Sequence, residues 1–203
     1  MPRRKADPLA ALGTALTRPG AASSDFDLNP GIYPQGRKLR PAAVLVPFFD
    51  DGSGTRLILT KRASGLKHHP GQIAFPGGKM DPEDATLEDT ALREAREEIG
   101  LDPANVTILG RLSTHETVSS FTMTPVLARL NAPFAPVAEP GEVEEVFTVP
   151  FDHVTDPARF RIEHRYWRGE RRYYYTVPYG PYYIWGATAR ILRGLADRVT
   201  GEG

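Results

Sequence analysis

The chain has no cysteine. That excludes disulfides, thiolate metal sites and a cysteine nucleophile, and says little about compartment. Also lacking is any apolar run near the roughly 20 residues that span a bilayer. The N-terminal stretch MPRRKADPLAALGTAL is basic but has neither the apolar segment nor the cleavage site of a signal peptide. The expectation is a cytoplasmic protein without membrane attachment. An excess of one charge is missing too, since 25 Lys and Arg balance 25 Asp and Glu. A general nucleic-acid binder needs a basic surface, so nucleic acid is not an expected partner. No internal repeat is visible.

What is present suits one compact domain of 203 residues with an ordinary apolar content. Asp7 before Pro8 has the form of a helix N-cap with proline at the first helical position, and Arg18 to Gly20 would close that short helix. An arm or loop follows to about residue 38, ahead of the main domain at 39–203. Ala42 to Phe49 and Thr55 to Arg62 read as strands joined in a hairpin across DDGSG. Further strands are expected at Val106–Leu112, Thr122–Leu130, Val143–Val149, Arg161–Arg168 and Tyr173–Pro178. Leu92, Ala95 and Ile99 recur at helical spacing, and Gly100 is a natural C-cap for their helix. Ile184, Ala187, Ile191, Leu192, Leu195 and Val199 mark a closing amphipathic helix. Strands around one acidic helix, with another helix at the end, indicate an α+β layered fold.

The acidic helix carries the chemistry. Glu94, Glu97 and Glu98 fall three and four residues apart, or adjacent, and share a face. Like charges at that spacing repel by roughly 0.2–0.5 kcal/mol per pair. Gly77 and Gly78 lie just upstream, where backbone can approach an anion without an intervening Cβ. Carboxylates beside such a turn meet the needs of a hard divalent cation that bridges protein to phosphate. A solvated acidic face relieved by Arg93 and Arg96 is the alternative that spacing alone leaves open.

The order Gly78, Arg93-Glu94, Glu97-Glu98, Gly100-Leu101 closely resembles the Nudix box, here spanning about 78–101. The resemblance implies a Nudix fold, with a mixed β-sheet sandwiched between helices (α/β/α), in a single domain. It implies hydrolysis of a nucleoside diphosphate linked to another group, with Mg2+ as cofactor and Mn2+ as an alternative. Glu94 and Glu98 would be metal ligands, Glu97 a further ligand or a water-orienting base, and Arg93 structural. Two departures stand out. Asp84 occupies the position where the family usually has glutamate, and the interval from Asp84 to Arg93 is one residue longer than the common pattern.

The upstream run LTKRASGLKHHPGQIAFPGG is similar to the segment before the box in the coenzyme A pyrophosphatase branch of that family. Lys67 stands where the branch usually has arginine, keeping the charge and losing the bidentate fork. With IWGATARIL near the end, the similarity covers about Leu39 to Leu195. It implies coenzyme A or an acyl derivative as substrate, bound through Arg62, Lys67, Gly77 and Gly78, with Lys61 a weaker candidate. Glu142 stands where the branch commonly has an acid before valine, and is the candidate for a second catalytic carboxylate beside Glu97. A solvated strand edge accounts for Glu139, Glu142, Glu144 and Glu145 equally well. Tyr173, Tyr174, Tyr175, Tyr179, Tyr182 and Tyr183 could stack on adenine, but strands and interfaces also collect tyrosine. A homodimer is compatible with the family. Hydrolysis of ADP-ribose or another nucleoside diphosphate sugar is the rival within enzymes, and a non-catalytic nucleotide-sensing module is the rival outside them.

Overall fold

Asp7 opens the first helix, accepting a hydrogen bond from the Leu9 N–H at 3.0 Å ahead of α1 (Pro8–Thr17). The computed structural model describes residues 7–167 and 169–201. Residues 1–6 of the N-terminal segment, Arg168 at the end of an expected strand, and the last two residues lie outside that set. A two-residue strand β1 (Ser23–Ser24) follows, then β2 (Arg40–Asp50), β3 (Thr55–Arg62), β4 (Ile73–Ala74) and β5 (Gly77–Lys79). Next come α2 (Leu87–Ile99), β6 (Val106–Arg111), β7 (His115–Glu116), β8 (Phe121–Leu130) and β9 (Val143–Pro150). The chain closes with α3 (Phe151–Val154), β10 (Arg161–Trp167), β11 (Glu170–Thr176) and α4 (Gly186–Thr200).

β2 runs through the middle of a mixed sheet. It pairs in parallel with β8 from Arg40 to Phe48, and antiparallel with β5 and β3 at its two ends. β3 carries β9 and β4, and β8 carries β6 and β7. Successive side chains of a strand point to opposite faces. In β2, Ala43 and Leu45 face one side and join Ile58, Val126, Ala128 and the α2 residues Ala91, Ala95 and Ile99. Val44, Val46 and Phe48 face the other side and join Leu12 and Ala15 of α1 with Ile191, Leu192 and Leu195 of α4. Burial on both faces explains why this strand is nearly all apolar. The fold is thus α+β, a mixed sheet between helices in one domain. Residues of α1 share its core.

The N-terminal segment is tied down by a buried polar group. His115 is fully buried, with Nδ1 2.9 Å from Ser23 Oγ and Nε2 3.1 Å from Asp25 Oδ1. β1 pairs in parallel with β7 at the same place. At the other end of the chain, the closing helix begins at Gly186, two residues after the apolar pattern starts at Ile184. Ile184 and Trp185 still belong to extended backbone, since the Val177 N–H donates to the Ile184 carbonyl and Trp185 bridges to Thr176.

Candidate active site

Thr86 starts α2 with a reciprocal cap: its side chain accepts from the Asp89 N–H, and Asp89 accepts from the Thr86 N–H. Gly100 ends the helix at φ 71, a left-handed conformation that glycine adopts without strain. The Glu139 N–H donates to the Glu98 carbonyl and the Val137 N–H to that of Ile99, so two of the last helical carbonyls are also satisfied by the following segment. Those bonds anchor the turn that carries Glu142 beside the acidic helix.

The three glutamates meet different surroundings. Glu98 is 4% exposed, and its Oε2 accepts from the Gly77 N–H at 3.1 Å. Burial pushes its carboxyl up to about 8, despite that hydrogen bond and the nearby charge of Arg62. Burial also raises Glu94, with repulsion from Glu97 and Glu142 adding to the effect and the Arg93 hydrogen bond opposing it. Glu97 is more open to solvent and binds Arg93 Nη1 at 3.1 Å.

Glycine makes the approach of these groups possible. A Cβ on Gly78 would lie 2.5 Å from Glu94 Oε1, and one on Gly77 would lie 2.5 Å from the Ala43 carbonyl oxygen. Gly77 also sits at φ 155, where side chains are strained.

Arg93 organises the near side of the helix. Its Nε and Nη2 reach the two carboxylate oxygens of Asp84 at 3.0 and 2.9 Å, while Nη1 reaches Glu94 at 3.0 Å. The same Nη2 donates to the Lys79 carbonyl at 3.2 Å. Asp84 also accepts from the Asp81 N–H and the Thr90 hydroxyl. The Arg93 guanidinium, with these donors, holds the Asp84 carboxyl well below the usual carboxylate range. The shorter acid and the longer interval are therefore accommodated by a bidentate pair between Asp84 and Arg93.

Arg62 lies at the end of β3, and its Nε is buried without a hydrogen-bond partner. The loop that follows is pinned at its neck, with the Gly71 N–H donating to the Arg62 carbonyl and the Arg62 N–H donating to that of Gln72. Lys67 and His68 are exposed on this loop, and no described contact brings Lys67 to the carboxylates. Lys61 is taken up by Glu144 at 2.6 Å. Of the tyrosines, Tyr182 stacks on Phe147 at 3.6 Å between centroids and donates to Glu145, while Tyr183 donates to Glu163. Sequence reasoning missed the role of Asp81 and Thr90 around Asp84, and the backbone bonds from 137–139 that place Glu142. A threonine at the helix start with Asp89 three residues on was the available signal for the cap.

Two desolvated carboxylates on one helix face, packed against the glycine strand β5, favour binding of positive charge, whether a proton or a cation. The donors are all oxygen, which suits a hard divalent ion. Among the described residues, no three acidic or histidine side chains are gathered closely enough to hold a metal ion by themselves.

Residues 38–168 match the family model described as a NUDIX domain. The chain belongs to the Nudix family. This Nudix protein is 37% identical over 175 residues to the "Uncharacterized Nudix hydrolase NudL" of Pectobacterium atrosepticum, covering 86% of this chain and 90% of the relative. It is 36% identical over 172 residues to the relative of the same name in Citrobacter koseri, covering 85% and 89%. Among solved structures it is similar to a Nudix hydrolase from M. smegmatis, RenU, at a TM-score of 0.48 and 23% identity, covering 60% of this chain and 83% of that one. It is accordingly a Nudix hydrolase, an enzyme of pyrophosphate bonds, in a family that generally uses divalent metals.

Proposed function

We propose that this Nudix hydrolase splits the diphosphate of coenzyme A or an acyl-coenzyme A with magnesium (or manganese), giving phosphopantetheine or its acyl form and an adenosine bisphosphate. The observation that carries the reading is the desolvated pair Glu94 and Glu98 beside Gly77 and Gly78, with carboxyl groups raised by burial. Glu94 and Glu98 would hold the ion, with Glu97 as a further ligand. Bound there, it supplies charge neutralisation at the phosphoryl oxygens and lowers the pKa of a coordinated water.

The chain's own residues do the rest. Glu97 or Glu142 takes the proton of the attacking water as its oxygen bonds to phosphorus and the bridging P–O bond breaks. Arg93 holds Glu94 and Glu97 in orientation, and Gly77 and Gly78 let the β5 backbone pack close to β2 and Glu94, with the Gly77 N–H on Glu98. Arg62, with its buried unpartnered Nε, supports recognition of a phosphate oxygen next to Glu98. Lys67 contributes charge from the loop. Such catalysis rests on positioning and electrostatics and needs no covalent intermediate.

The test is a panel of coenzyme A, dephospho-coenzyme A, an acyl form and ADP-ribose with magnesium or manganese, read by product mass. Coenzyme A or its acyl form is expected to turn over best, releasing phosphopantetheine or its acyl form. Preference for ADP-ribose would replace this reading with a nucleoside diphosphate sugar hydrolase. Binding of coenzyme A without product would leave a sensing module.

A further inference from the structure

The β10–β11 hairpin stands apart from the main sheet, and one of its faces sets two arginines directly opposite each other. Arg165 and Arg172 are direct cross-strand partners, so they lie on the same face, with the pair Glu163 and Tyr174 on one side of them and the pair Trp167 and Glu170 on the other. Like charges placed directly opposite destabilise a sheet unless something compensates them. Glu163 is already engaged, accepting from Tyr183 at 2.6 Å and from Thr176 at 3.4 Å. The Arg165 guanidinium lies 4.5 Å from the centroid of the Trp185 ring, and Tyr174 packs edge-on against the same ring at 5.1 Å. An arginine stacked this way keeps its N–H edge free for an oxyanion.

Two observations join this face to the carboxylate site. A Cβ on Gly186, next to Trp185, would lie 3.7 Å from Gln72 Nε2, so the loop after β3 touches the start of α4. On that loop, the Arg62 N–H donates to the Gln72 carbonyl at 3.0 Å. A line of contacts therefore runs from Arg62 through Gln72 to Gly186, and from the neighbouring Trp185 to the stacked Arg165. Among the described residues, the buried side-chain polar atoms without a hydrogen-bond partner are Arg62 Nε and Arg172 Nε, one toward each end of that line. Buried donors left unmade are costly, and natural sites keep them for a ligand or a water.

We propose that Arg165 and Arg172, backed by Trp185, form a second anion subsite that takes a phosphomonoester on the nucleoside half of a diphosphate substrate. The subsite rests on the diphosphate-hydrolase reading above and adds the selecting group to it. The diphosphate lies at Glu94 and Glu98, and the separate phosphate lies at the hairpin.

The experiment compares kcat/KM for coenzyme A and dephospho-coenzyme A in the wild-type protein, Arg165→Met and Arg172→Lys, with melting curves to establish folding. The preference for coenzyme A is expected to fall by about tenfold in Arg165→Met, the size of one lost charge-assisted contact. A preference equal to wild type, or an equal loss on both substrates, overturns the subsite. If Arg172→Lys does not fold, Arg165→Met decides alone. Calorimetry of metal-free protein with adenosine bisphosphate and adenosine monophosphate separates the two readings. Should wild type hydrolyse neither coenzyme substrate, tighter binding of the bisphosphate that is lost in Arg165→Met still upholds the subsite, and equal binding overturns it.

Discussion

Arg93 and Glu98 show how differently two residues of one helix are held. Arg93 uses both edges of its guanidinium, one on Asp84 and the other on Glu94 and Glu97. Asp84 is only 6% exposed, so removing its partner leaves a buried charge unpaired. Arg93→Ala is expected to cost about 3 kcal/mol in urea unfolding, and Arg93→Lys less, because one ammonium cannot reproduce the fork. Equal stability of Arg93→Ala and wild type would remove the structural role.

Glu98 acts in the opposite sense. Its carboxyl stands at about 8 when folded, against an ordinary 4.5. A carboxyl raised on folding stabilises the protein in its protonated form. That contribution is full below about 4.5 and is lost as the pH rises through about 8. Metal-free wild type should therefore lose stability across that window, and Glu98→Gln should flatten the slope. Parallel pH profiles from thermal melts of the two proteins would contradict it. The trio of glutamates was legible from spacing alone, but their burial was not. Which of them faces the Gly77 N–H depends on β5, a strand set by its pairing with β2.

Among the elements, the strands at 55–62 and 121–130 and the acidic helix follow closely from alternation and helical spacing. Gly100 was readable as a C-cap because few residues adopt φ 71 so easily. The three-residue strand β5 was not readable, since Gly77 and Gly78 have no side-chain pattern. Yet that strand sets the site's geometry, and the two glycines serve it differently. At Gly77 a methyl group meets rigid backbone at 2.5 Å; at Gly78 the nearest atoms it meets are the carboxylate tip of Glu94. Gly77→Ala is thus expected to destabilise the fold by more than about 2 kcal/mol. Gly78→Ala should keep near-normal stability and lose turnover by displacing Glu94. Denaturant curves beside steady-state rates would separate them, and a fully active Gly78→Ala would refute the close approach.

At the scale of the molecule, the layered α+β class was legible from the succession of elements. The long-range pairings were not. The parallel match of β2 with β8 joins residues about 80 apart, and a local pattern cannot specify its register. The packing of the β10–β11 hairpin on Trp185 was hidden as well, because its tyrosines read only as a stacking face or as strand residues. The tether through His115 was equally hidden, because a single histidine carries no periodic signal.

The proposed function rests on a divalent ion held by Glu94 and Glu98 at a diphosphate. The most direct test is a manganese titration followed by electron paramagnetic resonance, run on wild type and Glu98→Gln with a non-hydrolysable diphosphate analogue present. Wild type should bind the ion, and Glu98→Gln should bind it about a hundredfold more weakly while melting cooperatively. Equal manganese affinity in the two proteins would contradict the account.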